Sequence, residues 1–190
     1  MEGFNYIVAI VSIVIGLALA EIAQDLPQLI RRRRGERIDP LVAGSSLFVL
    51  LTLISAWFDM WAIRAVPDIQ SFPIFTLLFM HLLLLYLLAS ACLPTKEEDQ
   101  NGLAGFYERQ RRYLWGLYFA YELIYGFFWI YLQTRKGVPP LDLLSRSYEI
   151  LVPLAIAAFL VIVRDRRLHG VGIAILIAQL LAGYWTYRVG

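Results

Sequence analysis

Apolar runs alternate with short charged connections along the chain, and six of the runs have membrane-crossing length: 5–30, 41–63, 73–93, 113–133, 141–163 and 170–187. About 20 helical residues cross ~30 Å of hydrocarbon, so the pattern predicts an all-α, polytopic membrane protein, one six-helix transmembrane domain over 1–190. Asp39-Pro40 and Phe72-Pro73 suit helix starts, because proline gives up no hydrogen bond in a first turn. Pro94 and the Pro139-Pro140 pair separate helices, while Pro153 inside the fifth run predicts a kink that frees a carbonyl one turn earlier.

The fourth run, RRYLWGLYFAYELIYGFFWIYLQ over 111–133, differs from the others in carrying an acid at its midpoint, Glu122. At ~100° per residue, Trp115, Tyr118, Glu122, Tyr125 and Trp129 fall on one narrow stripe. A carboxyl at that depth must face protein, water or a ligand rather than lipid. The remaining runs are therefore read as what surrounds this face.

The basic residues orient the chain. Arg31, Arg32, Arg33, Arg34, Arg37, Lys96, Arg109, Arg111, Arg112, Arg164, Arg166 and Arg167 fall on one side of the six expected spans, twelve of seventeen Lys and Arg. The positive-inside rule then predicts both termini on the extracytoplasmic side. The first run ends in Ala18-Leu19-Ala20, which imitates a signal-peptide cleavage site, yet it lacks a basic lead and is expected to be retained.

Composition agrees: 59% of the residues are hydrophobic and mean hydropathy is +0.63, more apolar surface than a soluble domain can hide. The single cysteine, Cys92, excludes an internal disulfide framework and a cysteine metal cluster. A net charge of +2 gives no ground for nucleic-acid binding. There is no phosphate loop, HExxH or GxSxG elbow, and no voltage-sensor or potassium-filter pattern. His81 and His169 are expected at opposite depths, so they form no joint metal or haem site, and neither a metal nor a cofactor is expected.

Depth ranks the polar groups that remain. At ~1.5 Å per residue from the outer helix ends, Asp59 lies about 7 Å deep, His81 and Glu149 about 12 Å, Gln179 about 13 Å and Glu122 about 16 Å. Thr52, Ser55 and Asp59 share one helix face, and Asp142, Arg146 and Glu149 share another, with Arg146 spaced to pair with either acid. If these faces converge, they line a polar cavity open to the outside. Each residue also has a structural reading: Arg146–Glu149 as an ion pair, Asp59 as an interface residue, His81 as a packed histidine. Glu122 with Tyr118 and Tyr125 is an aromatic cage beside a carboxyl, which suits a cation or a proton-coupled carrier.

At the inner end of the first run, Glu21, Gln24, Asp25 and Gln28 share a face beside Pro27, and Glu21 with Asp25 is read as an inner gate or as a snorkelling helix end. Arg31, Arg32, Arg33 and Arg34 are expected to meet anionic lipid headgroups, as is the lead-in 106–112. Gly170, Ala174, Ala178 and Ala182 form a small-residue stripe expected to pack against another helix, within the chain or in a homo-oligomer.

The stretches IVSIVIGLALAEI (10–22) and FYERQRRYLWGL (106–117) resemble a group of small bacterial inner-membrane proteins. In that group a similar aromatic–Arg–Arg–aromatic run, here Phe106, Tyr107, Arg111, Arg112 and Tyr113, precedes a central helix. The resemblance is confined to these stretches; it implies a bacterial inner membrane and carries no activity. The functional expectation is a small transporter or channel for protons or cations centred on Glu122. The rivals are a non-catalytic scaffold or accessory subunit, and a membrane enzyme using Glu122 or Glu149 as acid–base on a lipid or quinone.

Overall fold

The computed structural model describes residues 2–31, 39–62, 71–94 and 102–185, with side chains at 6–26, 39–60, 71–94 and 103–185. Arg32, Arg33, Arg34, Arg37, Arg64, Lys96 and Arg188 lie outside the described residues, as do the side chains of Pro27, Gln28 and Arg31. The described chain is all-helical: α1 Glu2–Arg31, α2 Pro40–Ala62, α3 Phe72–Ala91, α4 Gly102–Arg135, α5 Pro140–Arg146, α6 Tyr148–Ile162 and α7 Arg166–Tyr184.

Among the described residues four helices are long and apolar enough to cross a membrane: α1 over Tyr6–Leu26, α2 over Pro40–Met60, and all of α3 and α7. The bent pair α5–α6 makes a fifth when taken as one span. Helix α4 is the longest, 34 residues or about 50 Å, and carries tyrosines, Glu122 and the charged residues Glu108, Arg109, Arg111 and Arg112 among its apolar residues.

The helices close a ring in which α1 packs on α3, α3 on α4, α4 on α6, α6 on α7, α7 on α2 and α2 on α1. Helix α2 also touches α3 and α4, and 56% of its apolar span is buried against 22–28% for α1, α3 and α7. That burial carries Ser45, Ser46, Thr52 and Ser55 inside the bundle. The hydroxyls of Ser45, Thr52 and Ser55 satisfy themselves on carbonyls of their own helix, and Ser46 also bonds the Cys92 carbonyl at the end of α3. Close approach needs small residues: a Cβ on Gly126 would lie 2.9 Å from Ile150 between α4 and α6, and one on Gly172 2.9 Å from Leu160 between α6 and α7.

Several expectations change. The fifth run is two helices bent by 44° at Ser147, not one helix kinked at Pro153. Pro153 sits within an unbroken α6, and Gln179 of α7 donates at 3.2 Å to the Glu149 carbonyl one turn before it, so the proline's missing N–H is replaced from a neighbour. The lead-in 106–112 is part of α4, which begins at Gly102; Phe106, Tyr107 and Arg111 are buried in protein, whereas Glu108, Arg109 and Arg112 are exposed. On α7 the packing surface is His169, Gly172, Ile173 and Leu176, whereas Ala174, Ala178 and Ala182 are exposed and make no helix–helix seam within the chain.

Candidate functional site

The stripe on α4 meets the polar face of α2 across a cavity of about 500 Å³. Thr52, Ser55 and Asp59 line it from α2; Tyr118, Tyr121, Glu122, Tyr125 and Trp129 from α4. Glu149 and Pro153 of α6 and Gln179 and Tyr184 of α7 complete the wall. Glu122 is only 8% exposed, and Tyr118, one turn before it, hydrogen-bonds its carboxyl. The Tyr184 hydroxyl donates to Asp59 Oδ1 at 2.6 Å, joining the C-terminal halves of α2 and α7. Phe48 forms the floor, edge-on to Tyr118 at 4.8 Å and tilted against Trp115 at 5.9 Å. Glu149, Ala182 and Gly183 are exposed at the rim.

Thus Glu122, Tyr118, Tyr125, Asp59, Glu149 and Gln179 come together, and two expected members do not. His81 lies behind the tyrosine wall, stacked on Tyr121 at 4.1 Å and Tyr125 at 6.0 Å, in a small apolar pocket with Leu78, Ile124 and Phe128. Its Nδ1 is buried without a hydrogen-bond partner among the described residues. Arg146 is exposed on α5 and makes no ion pair among the described residues. The break at Ser147 turns its helix away from the face that Glu149 presents, which undoes the i, i+3 spacing expected of one continuous helix. At the other end of α1, Glu21 accepts from the Tyr86 hydroxyl of α3 at 2.9 Å, and Asp25 lies half-buried one turn further on.

A second polar cluster sits where α2 and α7 begin. Asp39 caps α2, accepting from the Leu41 and Val42 amides at 2.9 and 3.4 Å, and its other oxygen pairs with Arg166. Arg166 also reaches Glu108 at 3.2 Å, and Glu108 meets Arg111 Nε at 3.5 Å. Beneath them, Trp115 Nε1 lies 3.0 Å from the Tyr107 hydroxyl, which lies 2.7 Å from His169 Nδ1; His169 Nε2 lies 3.0 Å from the Val163 carbonyl. A carbonyl only accepts, so Nε2 carries a proton, and in the neutral imidazole Nδ1 then accepts from Tyr107. Tyr107 in turn accepts from the indole, and the direction of every hydrogen in the chain is set. Burial pushes the Tyr107 phenol up to about 12, which keeps it a donor. Arg111 bonds the same Val163 carbonyl, tying α4 to the α6–α7 turn.

Arg111 and Tyr107, within the lead-in expected at lipid headgroups, are buried, and His169 is a buried first-turn residue of α7. A signal existed: Tyr107, Arg111 and Trp115 stand at steps of four and continue the Trp115–Trp129 stripe backwards by two turns. Tyr121 and Tyr184, which the sequence did not single out, are cavity residues that no periodicity marks. Comparison of the chain with known protein families, curated proteins and solved structures yields no match.

Proposed function

We propose that the chain is a small inner-membrane transporter or channel for protons or cations in which Glu122 is the central exchanging group. In this reading α4 and the bent α5–α6 pair also span the bilayer, giving six crossings with both termini extracytoplasmic and the cavity opening outward. The observation that carries it is the convergence of Glu122 and Asp59 with Tyr118, Tyr125 and Tyr184 on one cavity of about 500 Å³ within a bundle of apolar helices. A buried acid in a low-dielectric interior needs a proton or a cation to neutralise it, and the two compete for one carboxyl.

The test is flux in proteoliposomes, wild type against Glu122→Gln, over a pH series. Cation flux is expected in wild type, falling as pH is lowered and protons occupy the acid, and lost in Glu122→Gln. Equal, pH-independent flux in both proteins removes Glu122 from the mechanism. A second reading, a scaffold or accessory subunit, is favoured by the exposed line of Ala174, Ala178 and Ala182 on α7, a surface suited to a second helix. It is supported if wild type carries no ion tested.

A further inference from the structure

The cavity's chemistry is one-sided. Among the described residues three carboxylic acids line it, Asp59, Glu122 and Glu149, and no Lys, Arg or His does. Four of its hydroxyls are committed as donors: Tyr184 to Asp59, Tyr118 to Glu122, Thr52 and Ser55 to carbonyls of α2. Gln179 gives an amide N–H to the Glu149 carbonyl, and its Oε1 is buried away from the cavity space. What the acids offer a guest is therefore carboxyl groups that accept hydrogen bonds and can hold a positive charge.

Size and lining narrow the guest further. A bare ion does not fill about 500 Å³, a volume within the range of sites for drug-sized organic molecules. Among the described residues no three His, Cys, Asp or Glu side chains are grouped as a metal ion requires. Tyr121, Tyr125, Trp129 and Tyr148 supply ring surface around the acids, which attracts an organic cation through its charge and its apolar body.

We infer that this cavity binds a protonated organic amine, its N–H groups directed to Glu122 and Asp59 and its apolar body held among the aromatic rings. The inference rests on the cation-site reading above and names the class of cation. A quaternary ammonium keeps the charge and the ring contacts but has no N–H to give to either carboxyl, so affinity falls.

The experiment titrates purified protein with phenethylammonium, its N,N,N-trimethyl analogue and potassium chloride, following tryptophan fluorescence and calorimetric heat at neutral pH. Saturable binding of the primary amine is expected, about tenfold tighter than the trimethyl analogue. Glu122→Gln is expected to weaken it, and Trp129→Phe to shrink the fluorescence change. Asp59→Asn is expected to narrow the preference between the two amines. Because Asp59 also holds the Tyr184 hydroxyl, the ligand series on wild type decides the matter if that variant does not fold. No binding of the primary amine, or equal binding of the trimethyl analogue, overturns the inference. Proteoliposome flux of protons or potassium without amine binding leaves the transport reading standing and sinks this one. Amine binding without flux of any ion supports this inference and sinks the transport reading.

Discussion

Tyr107→Phe removes one oxygen from a site that has no slack. The phenol is buried, accepts from Trp115 Nε1 at 3.0 Å and donates to His169 Nδ1 at 2.7 Å. Trp115 and His169 are each 1% exposed, so neither nitrogen can turn to water when the oxygen goes. An orphaned buried polar group costs about 1–3 kcal/mol, and two that share one partner are expected to cost roughly 3 kcal/mol together. For a chain of this size about 1 kcal/mol moves Tm by 2–4 °C, so the variant should melt about 6–12 °C below wild type. Thermal unfolding in detergent, followed by circular dichroism, measures it. The sign with pH is set by the phenol, whose pKa burial raises from 10.0 to about 12. A raised acid stabilises fully below the unfolded value, so the gap between variant and wild type should be constant to about pH 10 and shrink above it. Trp115→Phe in the same background should add less than it does alone. A variant that melts within about 1 °C of wild type would refute the assigned hydrogen-bond chain.

Two further expectations use the same melting assay. Gly172→Val places a side chain 2.9 Å from Leu160 and should destabilise by about 1–3 kcal/mol, while Gly116→Ala, with nothing within 4 Å, should be neutral or slightly stabilising. Arg146→Ala should leave stability within about 0.5 kcal/mol of wild type, because Arg146 is exposed and unpaired among the described residues; a large loss would show a partner that the bend at Ser147 does not allow.

The α4 stripe is legible in sequence because helical periodicity alone puts Tyr118, Glu122, Tyr125 and Trp129 on one face, whatever surrounds them. Its convergence with Thr52, Ser55 and Asp59 follows from α2 being the central helix, a fact of packing that hydropathy does not carry. The Arg166–Asp39 pair spans 127 residues in sequence and the Tyr107–His169 bond 62, so no local pattern announces either. Charges near a membrane also have two meanings. Arg111 counts towards topology exactly as a headgroup-facing arginine does, yet it is buried and satisfied by the Val163 carbonyl. The break at Ser147 escapes because Pro153 is the stronger sequence signal, and a Gln179 side chain from another helix repairs what the proline removes.

The proposed function requires that the cavity faced by Glu122 and Asp59 be entered by water from the extracytoplasmic side. Ser55 is 7% exposed and lines that cavity from α2, and the single native cysteine, Cys92, is buried at the far end of α3 and serves as the background control. Sealed right-side-out and inside-out vesicles carrying Ser55→Cys are treated with a membrane-impermeant methanethiosulfonate reagent. Modification of Ser55→Cys from the extracytoplasmic face, with wild type unmodified, is the expected result. Protection in both orientations, or modification only from the cytoplasmic face, would contradict the account.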